Sequence, residues 1–396
     1  MAGLVGAEQA GGRFTFGANQ AQSGWTPVSV TNQYASEPGY GFEKPSTLGA
    51  GKDFVSSEQP FLFSVKLPEG NYSVTVTLGS VAKSEVTIKA EARRLMLERV
   101  AIASRETVRR VFTVNVRRPE FSSGGRVRLK QRELETEMIT WDDKLTLEFN
   151  GKNPSLRLLE IVPTNVPTVF LCGDSTVCDQ PREPWNSWGQ MLPRFFGPGV
   201  AVANYAQSGE SIKSSLSSKR FDKVFSLVKT NDWLLVQFGH NDMKDKATNA
   251  LAVYKSNLKK IVRQTREHGG TPVLVTSMER KNGIEQDTLA GYPQTVRDVA
   301  QEDGVALIDL HSVSKVLYRA LGPKLDKAFQ DGTHHNNYGS YELARCVVEG
   351  IRKNVPALAR FLAVDAFTFD PTRPDDPDTF MIPASAAVDA KKPDGN

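Results

Sequence analysis

The hydrophobic pattern changes period at Pro163-Thr164-Asn165-Val166-Pro167, and that change constrains the fold more than any other feature of the chain. Before it, over residues 13–162, short runs alternate apolar with polar residues. Residues 72–78 do so strictly, with Tyr72, Val74, Val76 and Leu78 against Ser73, Thr75 and Thr77. Residues 61–67, 84–90, 108–116, 126–129 and 144–149 read the same way, and the turn Pro68-Glu69-Gly70-Asn71 separates two of them. Period-two runs at this spacing, with few helical stretches between, predict an antiparallel β-sandwich. After the two prolines, residues 168–172, 233–238, 272–276 and 305–309 are nearly continuous apolar runs. Such runs suit strands covered on both faces. Residues 252–268 and 288–304, lying between them, repeat with a helical period. This alternation predicts a three-layer α/β/α domain around a parallel sheet. The expected organisation is a sandwich over residues 1–163, an α/β domain over 167–369, and an irregular tail rich in proline, aspartate and alanine over 370–396.

Composition narrows the class of function. A formal net charge of +4 over 396 residues is far from the basic excess of a nucleic-acid binder. No run reaches the roughly 18 apolar residues needed to span a bilayer, so no membrane partner is expected. Nothing indicates an obligate protein partner. The first residues lack the positive stretch and apolar core of a signal peptide. The three cysteines, Cys172, Cys178 and Cys346, have neither metal nor disulfide spacing and read as buried thiols. A weaker alternative leaves Cys178 partly exposed beside the site. Residues 89–132 hold thirteen Lys/Arg and four Asp/Glu. The preferred reading of that excess is solvated outer strand faces; steering of an acidic polysaccharide is the alternative.

Four short blocks carry the chemistry. Leu171-Cys172-Gly173-Asp174-Ser175-Thr176 follows the first buried run, where open α/β sheets collect reactive groups. There Ser175 can present its hydroxyl to a cleft, though a serine helix cap would look the same. Asn204-Tyr205-Ala206-Gln207-Ser208-Gly209-Glu210-Ser211 places a glycine where a backbone N–H can approach a ligand closely. Gly239-His240-Asn241-Asp242 offers the Asn241 amide as a donor, or simply a turn. Asp331-Gly332-Thr333-His334 has a spacing that lets the carboxylate reach one ring nitrogen of His334 and leaves the other to take a proton from serine. His334-His335 invites a metal reading, but no acidic or cysteine partner stands at ligand spacing, so no metal and no cofactor is expected.

Taken together and in this order, the blocks resemble the SGNH branch of the GDSL-type hydrolases over roughly residues 167–355. The resemblance implies Ser175, Asp331 and His334 as catalytic residues, with Ser175, Gly209 and Asn241 forming the oxyanion hole. Gly173-Asp174-Ser175-Thr176, Gly239-His240-Asn241-Asp242, Asp331-Gly332-Thr333-His334 and the segment Trp188 onward to Phe196 look most like rhamnogalacturonan acetylesterases. Arg13-Phe14-Thr15-Phe16-Gly17 and Gly39-Tyr40-Gly41-Phe42-Glu43 are similar to the galactose-binding sandwiches of bacterial multidomain members. The implied substrate is an acetylated pectic polysaccharide, acted on by a secreted or periplasmic enzyme. Its rivals are an esterase on a lipid or peptidoglycan acyl group and a carbohydrate-binding protein without activity. Trp185 or Trp188 is expected to wall the acyl pocket, and Trp25 to stack on sugar or fill the core.

Overall fold

The computed structural model describes residues 11–18, 22–43, 47–121, 124–387, 389 and 391–394, with the Met138 side chain left aside. The reading of the N-terminus falls on the first ten residues, which lie outside that set. Two compact units are present, and both are discontinuous in sequence. One holds the described residues of Met1–Glu91, Met96–Arg118 and Ile139–Val166; the other holds those of Ala92–Leu95, Pro119–Met138 and Pro167–Asn396. Segments 92–95 and 119–138 therefore pack with the later half of the chain, which a single boundary near residue 165 does not anticipate.

The first unit contains two five-stranded sheets. In one, the spatial order is Val108–Val116, Gly70–Leu78, Leu158–Pro163, Gly12–Phe16, Thr26–Val28. All of its pairs are antiparallel except the last, which is parallel. In the other, Tyr40–Phe42, Phe61–Lys66, Lys144–Lys152, Ser84–Ala90 and Arg94–Ile102 lie side by side. The alternation seen in residues 72–78 places Tyr72, Val74, Val76 and Leu78 inward, each no more than 1% exposed. Phe14 and Phe16 of one sheet meet Phe63 of the other at 5.5 and 5.2 Å between ring centroids, which closes the sandwich. Residues 126–129 do not join it. Gly125–Arg126 instead pairs with Glu120–Phe121 within the second unit. The strand Arg94–Ile102 is not among the predicted runs: its buried Arg94 and its uneven pattern of exposure give no clean alternation.

The second unit is built on an all-parallel sheet ordered Ala201–Asn204, Thr168–Gly173, Trp233–Gln237, Thr271–Val275, Ala306–Ile308. Its central strands are buried along their whole length, which explains their continuous apolar sequence. Helices Ala250–Glu267 and Tyr292–Glu302 occupy the two stretches with helical period, and Asn337–Asn354 packs against the last strand. The first three strands in spatial order end at Asn204, Gly173 and Gln237. The three blocks that follow those strands thus emerge together at one edge of the sheet. No described helix is long and apolar enough to cross a membrane.

Candidate active site

The strand Thr168–Gly173 stops in a tight turn made by Asp174. Its Oδ1 accepts from the Thr176 N–H at 3.0 Å and the Thr176 hydroxyl at 2.6 Å. Its backbone oxygen takes the N–H groups of Val177 and Cys178. Ser175 sits at the head of this turn, 4% exposed, and its carbonyl accepts from Gln180 Nε2 at 2.7 Å. Burial pulls the Asp174 carboxyl upward, but the charge and hydrogen bond of His240 and the bonds from Thr176 outweigh it and hold the group below its ordinary value. His240 contacts Asp174 through Nδ1 at 3.3 Å and the Met278 carbonyl through Nε2 at 3.0 Å.

His334 Nε2 lies 2.8 Å from Ser175 Oγ, and its Nδ1 lies 2.9 Å from Asp331 Oδ2. The two ring contacts divide the roles: Nδ1–H donates to the carboxylate, which leaves Nε2 as acceptor toward the serine hydroxyl. The Asp331 carboxylate is fixed in turn, its Oδ1 accepting the N–H groups of Thr333 and His334 at 2.7 Å each. Burial alone would raise its pKa; the hydrogen bond and charge of His334 and these backbone donors hold it well below the usual range. Trp185 stands edge-on to the His334 ring, 5.7 Å between centroids. Trp188 is the core residue of the pair, donating to Gln237 at 1% exposure.

Gly209 and Asn241 stand in the loops that follow the neighbouring strands of the same sheet. Gly209 has φ +75°, and a Cβ there would lie 3.1 Å from Lys130 Nζ and from Asp394 Cβ. Only glycine suits both the conformation and the space. The Asn241 amide is oriented at both ends: Nδ2 donates to the Glu210 carbonyl at 3.1 Å, and Lys244 Nζ donates to Oδ1 at 3.0 Å. All five residues singled out in the sequence therefore belong to the second unit, and the serine, histidine and aspartate form one hydrogen-bonded chain.

Several supports escaped the sequence reading. Arg93 donates to the carbonyls of Gln180 and Trp185 and to Asn337, and pairs with Glu183. Arg94 pairs with Asp179 at 2.6 Å with both side chains essentially inaccessible, and Asn204 donates to the same carboxylate. Together they fix the loop between Ser175 and Trp185. These arginines belong to the basic stretch expected to be solvated, and burial in ion pairs is the correction. Cys178 is likewise buried, 2% exposed against Ser208, not exposed beside the site. His335 is buried beside Tyr318 and Phe329, and burial, with His334 and His240 nearby, lowers its pKa to about 3. The described residues of 370–394, expected to be irregular, contain among them only a short helical turn at Pro377–Thr379 but are tied down. Trp185 Nε1 donates to the Asp389 carbonyl, and Lys392 Nζ stands 4.0 Å from Asp331 Oδ2.

Among the described residues, Glu279, Asp287 and His311 are grouped at metal-ligand spacing. They bond one another and their neighbours: His311 Nε2 meets Glu279, which also accepts from Thr288, while Asp287 pairs with Lys315 and His311 Nδ1 faces Arg297.

Comparison with known proteins assigns both parts of the chain to families. Residues 171–340 match the GDSL-like lipase/acylhydrolase family, and residues 12–107 match the β-agarase/YXIM esterase-like, galactose-binding domain-like family. Rhamnogalacturonan acetylesterase RhgT of Bacillus subtilis (strain 168) is 36% identical over 207 residues, covering 47% of this chain and 89% of that one. The uncharacterized esterase YxiM of the same organism is 26% identical over 368 residues, 86% of this chain and 90% of that one. The probable rhamnogalacturonan acetylesterase YesY, also from that organism, is 30% identical over 202 residues, 47% and 92%. The chain belongs to the GDSL-like lipase/acylhydrolase family, an ester hydrolase with a galactose-binding-like domain ahead of its catalytic one.

Proposed function

We propose that the protein is a serine carbohydrate esterase that removes O-acetyl groups from a pectic polysaccharide of the rhamnogalacturonan type. The observation that carries the serine chemistry is the chain Ser175 Oγ–His334 Nε2–Asp331, at 2.8 and 2.9 Å. As Ser175 Oγ attacks the acetyl carbonyl carbon, its proton passes to His334 Nε2, and the imidazolium that forms is stabilised by ionised Asp331. The oxyanion takes hydrogen bonds from the backbone N–H groups of Ser175 and Gly209 and from Asn241 Nδ2. Collapse of the tetrahedral species expels the sugar alkoxide, which takes the proton from Nε2 and leaves an acetyl-serine. Water, deprotonated by His334, then releases acetate.

The substrate class rests on the likeness to two proteins named as rhamnogalacturonan acetylesterases. A polysaccharide of that size is met outside the cytoplasm, so we place the enzyme in a secreted or periplasmic setting. Two assays test the reading. The parent should hydrolyse p-nitrophenyl acetate and Ser175→Ala should not; equal rates would overturn the serine mechanism. Acetate release should be faster from acetylated rhamnogalacturonan than from acetylated xylan, and the reverse order would move the substrate to a different wall polymer.

A further inference from the structure

We propose that Lys130 and Arg132 form a carboxylate-binding subsite beside the acyl site, which takes the acid group of a uronate unit in the substrate and which Asp394 fills when substrate is absent. The proposal builds on the carbohydrate esterase reading and adds what the enzyme recognises next to the ester.

Both cations reach the site from segment 119–138, which packs within the catalytic unit. Lys130 Nζ donates to the Ser208 carbonyl at 2.6 Å and lies 3.0 Å from Glu210 Oε1, so it is anchored to the residues on either side of Gly209. It remains 30% exposed. Its nitrogen stands 3.1 Å from the point a Gly209 Cβ would occupy, which puts an ammonium beside the glycine assigned above to the oxyanion hole. Arg132 is held from behind: its Nε meets Glu137 Oε1 at 2.7 Å, and Gln207 Nε2 fixes the other oxygen of Glu137 at 2.8 Å. Its Nη1 points the other way. That nitrogen donates to the Lys392 carbonyl at 3.1 Å and stands 3.6 Å from Asp394 Oδ1.

Asp394 thus behaves as a stand-in for a ligand. Its Cβ lies 3.1 Å from the Gly209 Cβ position, and its carboxylate turns toward Arg132. The hold is weak, since the Asp394 side chain is 42% exposed and a solvent-screened pair at 3.6 Å stabilises little. A sugar chain entering the cleft with its own carboxylate can displace Asp394 from Arg132, with the Lys130 ammonium beside Gly209 as the second cation. Planar bidentate recognition is what an arginine held through Nε offers to a carboxylate. An acetylated uronide carries ester and acid on one ring or on neighbouring rings, so an acid-binding site beside Gly209 suits such a substrate.

The test measures binding, so it does not depend on turnover. In the full-length Ser175→Ala chain, titration calorimetry with trigalacturonate should give a Kd at least tenfold lower than with the neutral galactotriose. Arg132→Gln added to that background should weaken trigalacturonate about tenfold or more and leave the neutral trisaccharide within about twofold. Asp394→Asn should tighten trigalacturonate severalfold by removing the internal competitor. Equal Kd values for the acidic and neutral sugars in the Ser175→Ala chain would overturn the proposal, as would an unchanged acidic Kd in Arg132→Gln. Should Arg132→Gln misfold, raising the salt from 50 to 500 mM on the Ser175→Ala chain decides instead: loss of the acidic preference supports the subsite, and its persistence overturns it. Failure of the parent on p-nitrophenyl acetate would count against the esterase reading alone.

Discussion

His334 is held from both sides: Asp331 takes Nδ1–H and Ser175 meets Nε2, so the ring has one tautomer that serves catalysis. Asp331→Asn would present an amide that can offer N–H to Nδ1 and reverse that tautomer. The expected loss in kcat is on the order of 10⁴ with little change in KM, measured on p-nitrophenyl acetate. Asn241→Ala removes one oxyanion donor and should cost about 10²–10³ in kcat. Lys244→Ala is expected to cost less than tenfold, because Lys244 only orients the Asn241 amide, whose Nδ2 is still held by the Glu210 carbonyl. A Lys244→Ala loss as large as that of Asn241→Ala would mean that the lysine itself contacts the substrate. At this scale the sequence was most readable where partners are close in the chain. Asp331 and His334 are three residues apart, and each of the other blocks directly follows a buried strand. The Asp174–His240 contact spans 66 residues and has no local signature.

Elements were legible where hydrophobic period governs them, and illegible where charge is buried. The strands Gly70–Leu78, Ser84–Ala90, Val108–Val116 and the buried run Thr168–Gly173 lie where their periodic runs predict them, although Ser84–Ala90 and the end of Val108–Val116 are buried on both faces. Segments 92–95 and 119–138 look like parts of the sandwich because nothing in their composition shows that Arg94 meets Asp179 or that Glu133 meets Arg220. Both of those pairs have side chains no more than 1% exposed. Breaking such a pair leaves one charge buried without its counterpart, which costs about 3–5 kcal/mol. Arg94→Ala and Glu133→Ala should each lower the urea midpoint of the catalytic unit accordingly. The double change Arg94→Met with Asp179→Leu should recover most of the loss, since two apolar side chains leave no orphan charge. A fragment cut at residue 167 would carry Asp179 and Arg220 without Arg94 and Glu133, their buried counter-charges. It should therefore be insoluble or unfolded, as read by circular dichroism, although RhgT matches only about half of this chain. A folded, active fragment would show that segments 92–95 and 119–138 are dispensable.

For the whole catalytic unit, the buried ionisable groups set how stability depends on pH. Burial raises Asp242 and Glu342 to about 7, so the folded chain keeps two protons that an unfolded chain releases near pH 4. Their contribution is complete below those ordinary values and is lost as pH rises through 7. Burial also raises Glu137 and Asp232 in the same sense. His335, lowered to about 3, acts oppositely: the unfolded chain takes its proton below about 6.5 while the folded chain does not. Between about pH 4.5 and 6.5 the two carboxyls outweigh the one imidazole, and stability should fall with rising pH by roughly 1.4 kcal/mol per unit or more. On the acid side the sign reverses. Glu279 feels burial too, but hydrogen bonds from His311, Thr288 and Arg280 bring it down to about 2, and Asp331 is also low. Those contributions are present above about 4.5 and are lost as pH falls through the folded values. The melting temperature of the catalytic unit should therefore peak near pH 4.5–5 and decline toward pH 8. Asp242→Asn keeps an oxygen for the Ile212 N–H and removes one titrating group, so it should shallow the decline by roughly 1.4 kcal/mol per pH unit. A parent whose melting temperature rises from pH 5 to pH 8, or an Asp242→Asn variant with the parent's slope, would show that these carboxyls ionise freely in the folded state.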